Sequence, residues 1–296
     1  MVSSFKYYAQ LLKFRLSITV VFSAISGYLI GVDNFSTNEF LLLIVGGFLV
    51  TGSANGFNQI LERNFDKLME RTSSRPLPMR NLSVTSAFLF SLVIGGLGLY
   101  LLNFIHPKGG YFDLMSKSSF FGLLSILLYV LAYTPLKRIS TFSVFVGAIP
   151  GAIPFLLGWV AATNNFELVG GTLFAIQFLW QFPHFIAIAW VLDKEYKNAG
   201  FKMLFGGEKG TYPALLSIIT AVAMVVVSVL PHLWGVASFS ISIYAFIILV
   251  VLGLWFISKS IKLYKTTDDK AAKDLMIASI VYLPLFQIVY ILDRFI

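Results

Sequence analysis

Residues 39–80 read EFLLLIVGGFLVTGSANGFNQILERNFDKLMERTSSRPLPMR, an apolar run that passes without interruption into a polar stripe and then into a charged segment containing prolines. About 20 apolar residues are enough for a helix to cross the hydrocarbon core of a bilayer. Similar runs recur near 16–33, 83–104, 117–134, 141–162, 168–191, 211–231, 236–258 and 274–293, which with 39–60 makes nine. Backbone groups in lipid must be paired within their own segment, so helices are the only option for such runs. The expected fold is all-α, a polytopic membrane protein built as one bundle of about nine transmembrane helices, with 1–296 forming a single domain. Prolines 150 and 154 predict a kinked fifth helix.

Composition agrees with that reading. Of 296 residues, 57% are hydrophobic and 12% charged, against about 25% charged in a soluble domain. A net charge of +8 could suit nucleic acid, but such a binder has no reason to carry repeated membrane-length runs, so no nucleic-acid partner is expected. The chain has no cysteine, which excludes disulfides, thiolate metal sites and a cysteine nucleophile. Any metal must be held by oxygen or imidazole. The basic N-terminal stretch continues too far into apolar sequence for a signal peptide and reads as the first span.

Lysine and arginine concentrate in cytoplasmic loops. With nine spans and a cytoplasmic N-terminus, 19 of the 22 basic residues fall on the cytoplasmic side, leaving Lys108, Lys117 and Arg294 outside. One helix more or fewer destroys this segregation. The C-terminus is therefore expected outside, and a bacterial inner membrane is the expected address. Residues 61–82, 135–140, 192–210 and 259–273 are expected to be cytoplasmic, and 105–116 external.

Six of the 14 acidic residues, Glu62, Asp66, Glu70, Asp193, Glu195 and Glu208, lie in two of those cytoplasmic segments. In the first, Asn58, Glu62 and Asp66 stand four residues apart and form one helical stripe. Hard oxygen ligands shared with substrate phosphates are a common way to hold Mg2+, and Lys67, Arg71 and Arg75 supply phosphate-matching charge. The stripe points to a metal–diphosphate site. For any one of these charges, a solvated helix end with i,i+4 ion pairs explains as much. It does not explain Asn58 at the membrane boundary, nor a second acidic cluster on the same side.

That second cluster follows WQFPHF (180–185). Asp193, Glu195 and Tyr196 emerge from the sixth span beside Lys194 and Lys197. His184 lies deeper, either as a histidine hydrogen-bonded between helices or as a substrate contact. Lys137 and Arg138, in YTPLKRIS (133–140), are explained by topology alone.

Taken together, NxxxExxxDxxxERTxxRPL at 58–77, YTPLKR at 133–138 followed by VGAIPGAIPFLLGW, and WQFPHF followed by KEY resemble the haem O synthase branch of the UbiA-type intramembrane prenyltransferases. The resemblance implies a nine-helix bundle whose cavity takes farnesyl diphosphate and Mg2+ near the cytoplasmic face, with haem B as the acceptor. It implies metal ligation or catalysis by Asn58, Glu62, Asp66, Glu195 and Tyr196, with Asp193 as a secondary metal ligand. Substrate contacts are implied for Arg71, Arg75, Lys137, Arg138, His184 and Lys194. Glu62 stands where the family pattern usually has Asp. Downstream partners implied are a haem A synthase or terminal oxidase assembly. Rival readings are a prenyltransferase for an aromatic or quinone precursor, and a transporter, which would instead place ionisable groups along a path through the bilayer.

Overall fold

A computed structural model describes residues 2–107, 114–233 and 239–296. Within them the chain forms α1 (Val2–Leu11), α2 (Phe14–Gly31), α3 (Thr37–Asp66), α4 (Glu70–Ser73), α5 (Val84–Asn103) and α6 (Lys117–Leu127). A π-helical turn (Leu128–Tyr133) carries α6 into α7 (Thr134–Leu136). There follow α8 (Ser143–Thr163), α9 (Glu167–Val191), α10 (Asp193–Asn198), α11 (Thr211–Leu233), α12 (Ile243–Thr266) and α13 (Asp269–Phe295). Among the described residues, nine helical segments are long and apolar enough to cross a membrane.

Short polar residues start these helices. Ser36, Ser83, Ser116, Ser242 and Asp268 each accept a hydrogen bond from the backbone N–H three residues on, relieving one of the unpaired donors at a helix start. Lipid supplies no hydrophobic drive between helices, so association depends on close packing and interhelical hydrogen bonds. Glycines permit that packing. A Cβ on Gly158 would lie 1.9 Å from the Ala24 carbonyl oxygen, and one on Gly27 would lie 2.1 Å from that of Phe155. The backbones of α2 and α8 therefore touch. Gly46 and Gly98 do the same for α3 and α5. Glutamines join the helices across the interior: the Gln177 amide donates to the Gly151 carbonyl at 3.0 Å, and that of Gln287 to Ser23 Oγ at 3.0 Å. Pro150 and Pro154 both lie inside the continuous helix α8. Pro154 cannot donate to the Pro150 carbonyl, and Ser125 Oγ does so instead at 3.5 Å.

Three boundaries differ from the sequence reading. The N-terminal stretch is two helices rather than one, broken at Lys13, whose backbone is left-handed (φ 45°, ψ 56°). The eighth span is α12, Ile243–Thr266, rather than 236–258, and α13 begins at Asp269. The expected loop 259–273 is thus almost entirely helix: the lysines there have long apolar stems that let the helix continue while the ammonium groups stay in water. The third difference is the end of the second span: α3 runs to Asp66 rather than 60, and the Asn58–Glu62–Asp66 stripe lies on that continuing helix, as expected. Lys108 and much of the expected external loop 105–116 fall outside the described residues.

Candidate active site

The stripe on α3 faces the interior. Asn58, Glu62 and Asp66 are 1%, 6% and 0% exposed, and buried carboxylates survive only when paired. The Arg75 guanidinium donates to both Asp66 oxygens at 2.9 Å, the two-pronged geometry at which arginine excels. Lys137 Nζ meets Glu62 Oε1 at 2.8 Å, and Lys13 Nζ donates to Asn58 Oδ1 at 3.2 Å. Each of the three side chains on the stripe therefore has its own basic partner.

These groups line a cavity of about 130 Å³, together with Met69, Arg71, Tyr129, Tyr196, Phe201 and Met203. Four basic side chains (Lys13, Arg71, Arg75, Lys137) face two carboxylates, and Arg71, Arg75 and Lys137 alone give the lining an excess of positive charge suited to a polyanion. Burial, and after it the charge of Arg75, draws the Lys13 ammonium down to about 7. Burial opposes the charge on Lys137 as well, but the Glu62 carboxylate outweighs it and holds that lysine above its ordinary value. Burial likewise raises the Tyr196 phenol, which stays protonated and able to donate.

Local chain geometry explains how these groups converge. The π-helical turn ends beside Pro135, which has no N–H to give to Leu131; such widened turns recur at functional sites. The Thr134 hydroxyl donates to the Tyr129 carbonyl at 2.8 Å and accepts from the Asn58 amide at 3.2 Å. Asn58 is thereby oriented with its carbonyl oxygen toward Lys13 and the cavity. The segments at this end of the bundle are tied to one another: the Arg71 amide donates to the Glu195 carboxylate at 3.3 Å, the Lys202 amide donates to the Lys137 carbonyl at 2.6 Å, and the rings of Phe65 and Phe201 meet at 5.8 Å.

The structure thus gathers Asn58, Glu62, Asp66, Arg71, Arg75, Lys137 and Tyr196 around one space. Other candidates lie apart from it. Glu195 is not among the residues lining the cavity and accepts a hydrogen bond from the Arg71 amide. Asp193 pairs with Lys197 at 2.9 Å, one helical turn away on α10, and Lys194 is exposed on the same short helix. Arg138 lies over the Phe65 ring at 4.3 Å, and His184 is hydrogen-bonded to Ser279 between α9 and α13. Lys13, Tyr129 and Phe201 line the cavity without having stood out in the sequence. Lys13 had been counted only among the topology-setting charges, and its distance from Asn58 along the chain conceals their contact.

The donor set fits magnesium: two carboxylates and an amide oxygen are hard ligands. Among the described residues, no group of three or more His, Cys, Asp and Glu side chains could cage a metal alone. A partial set suits an ion that completes its shell with water and substrate phosphate.

A nine-span bundle with such a cavity at one end is the arrangement of an intramembrane prenyltransferase, and the chain belongs to the UbiA prenyltransferase family, whose model matches residues 20–283. Its sequence is 44% identical to the protoheme IX farnesyltransferase of Flavobacterium psychrophilum over 296 residues, covering 99% of this chain and 96% of that one. It is 45% identical to the protein of the same name from Christiangramia forsetii, over 98% of this chain and 93% of the relative. Among solved structures, one described as digeranylgeranylglyceryl phosphate synthase in membranes shares the fold with a TM-score of 0.80 at 21% identity, covering 99% of both chains. A UbiA homologue from Archaeoglobus fulgidus bound to DMAPP and Mg2+ does so with a TM-score of 0.65 at 16% identity, covering 96% of this chain and 99% of that chain.

Proposed function

We propose that this chain transfers the farnesyl group of farnesyl diphosphate to a vinyl group of haem B, yielding haem O, in a bacterial inner membrane with its N-terminus cytoplasmic and its C-terminus external. The observation that carries the site assignment is one cavity in which Lys13, Arg71, Arg75 and Lys137 face Asn58, Glu62 and Asp66. The relatives named for protoheme IX farnesylation match nearly the whole chain, which favours haem over a quinone precursor as acceptor. A transporter would need ionisable groups along its path, whereas these cluster at one end of the bundle.

Asp66 and Glu62, with the Asn58 carbonyl oxygen, would hold magnesium, which would supply positive charge to a departing diphosphate. Arg71, Arg75, Lys137 and Lys13 face the same space and bind the diphosphate. Their charge stabilises the negative charge that develops as the farnesyl C1–O bond breaks with its electron pair on oxygen. The allylic cation is attacked by the terminal carbon of the haem vinyl group. Water then adds to the new cation beside the porphyrin and loses one proton, leaving a hydroxyethylfarnesyl substituent. Asn58, Glu62 and Asp66 are each paired with one of these same cations, so they would be freed to hold the metal as the cations turn to the diphosphate. Removing one cation therefore weakens the hold on diphosphate.

Mass spectrometry of haems extracted from membranes containing the chain tests the assignment. A farnesylated, hydrated haem is expected, and it should be missing with the Asp66→Asn variant. A prenylated quinone precursor with unchanged haem would overturn the acceptor.

A further inference from the structure

The chain has three histidines. Two are fastened near helix ends: His106 Nε2 lies 3.1 Å from the Ala161 carbonyl oxygen, and His232 Nδ1 lies 2.8 Å from that of Ile241. His184 is different. It lies inside α9, seven residues before Val191, or about 10 Å along the axis from the cytoplasmic end. An ionisable side chain at such depth is costly and calls for a function.

Its hydrogen bonds determine which ring nitrogen carries the proton. His184 Nδ1 is 2.8 Å from Ser279 Oγ. A serine hydroxyl has one proton to give, and Ser279 gives it to the Met276 carbonyl oxygen at 2.6 Å. Toward His184 the hydroxyl can only accept, so Nδ1 is protonated and Nε2 keeps its lone pair. Among the described residues nothing donates to Nε2. The ring plane is also held, because Trp180 stacks on it at 4.6 Å and 17° while its own Nε1 donates to the Ser279 carbonyl at 3.0 Å. A neutral imidazole, anchored through Nδ1–H and bare at Nε2, is the form in which histidine ligates a metal.

The position suits the acceptor. His184 neighbours the Phe185 ring at 5.8 Å, Phe185 neighbours Tyr133 at 6.4 Å, and Tyr133 lies under Lys137 Nζ at 4.5 Å. Two aromatic rings thus separate the imidazole from a cation of the diphosphate cavity. A haem bound at His184 would therefore be a near neighbour of that cavity.

We infer that His184 Nε2 is the axial ligand to the iron of the haem acceptor, with Ser279 and Trp180 as its positioning residues. This rests on the reading of haem as acceptor. The test is titration of the purified full chain with ferric haem b, without farnesyl diphosphate, followed by visible and electron paramagnetic resonance spectra. The wild type should give a saturable nitrogen-ligated signature. His184→Ala should lose that signature and regain it with added imidazole, while still binding farnesyl diphosphate normally, which shows that it is folded. His184→Met should give a sulfur-ligated spectrum. Ser279→Ala should retain nitrogen ligation with haem affinity lowered about 10-fold, as when an outer partner of a metal ligand is lost. A wild-type spectrum in either His184 variant would overturn the ligand assignment and return His184 to helix packing. Failure of the wild type to bind haem while still binding farnesyl diphosphate would instead overturn the acceptor itself.

Discussion

Replacing Asp66 with asparagine keeps the side chain's shape and removes its charge, at a position that is fully buried and bound through both oxygens to Arg75 at 2.9 Å. Two costs follow, and they can be measured separately. Breaking a buried ion pair from one side costs about 3–5 kcal/mol; the Arg75 side chain is 21% exposed toward the cavity, so water can solvate it in part and the lower end, about 3 kcal/mol, is expected for stability. The second cost is catalytic. Losing one preorganised electrostatic group at developing charge typically lowers turnover by about 10²–10³, and a carboxylate that both holds metal and sets Arg75 belongs in that range. Product formation should be followed by mass spectrometry against Mg2+ concentration at saturating farnesyl diphosphate, with thermal unfolding in detergent recorded alongside. Asp66→Asn should lose at least about 100-fold in kcat at a temperature where it remains folded, and Asp66→Glu should recover part of the loss. Turnover within about threefold of wild type would refute the metal role, because a purely structural ion pair predicts the stability loss alone.

Three further outcomes are expected. With no native cysteine, single cysteines at Leu68 and Asn198 should react with impermeant thiol reagents only from the cytoplasmic side and one at Ile296 only from outside; external labelling at position 68 or 198 would overturn the topology. Arg71→Ala and Lys137→Ala should each weaken binding of a non-hydrolysable farnesyl diphosphate analogue by roughly 10-fold, about the worth of a charged hydrogen bond, and the double variant should cost less than the sum if both hold one diphosphate; Lys194→Ala, on an exposed site away from the cavity, should bind normally, and strict additivity would refute the shared contact. Gly158→Leu should cost at least about 1–3 kcal/mol or prevent accumulation, because even its Cβ would collide with the Ala24 backbone, whereas Gly96→Ala, with nothing within 4 Å, should change stability by less than about 0.5 kcal/mol; equal stability of the two variants would remove the close-approach argument for α2 and α8.

What the amino-acid sequence determined by itself is whatever the bilayer enforces locally. Runs of apolar residues long enough to cross it become helices because no other backbone pairing is available there, and the one-sided lysines and arginines predict which way they face. The Asn58–Glu62–Asp66 stripe was equally legible, since a four-residue spacing puts side chains on one face of any helix. Helix ends were less so: Lys259, Lys262 and Lys265 marked a loop by charge, yet they extend α12 because their stems are apolar and their heads can reach water. Only the tertiary structure decided which charges meet. Lys13 reaches Asn58, and Lys137 reaches Glu62, through the way the segments that carry the lysines pack against α3. Glu195 and Lys194 adjoin Tyr196 in sequence, but only Tyr196 lines the cavity, because α10 turns adjacent residues to different sides. The protonation of His184 lay further still from the sequence: it depends on where the single proton of Ser279, on another helix, is spent. Spacing along one helix is a local property, whereas pairing between helices depends on crossing geometry set by packing throughout the bundle.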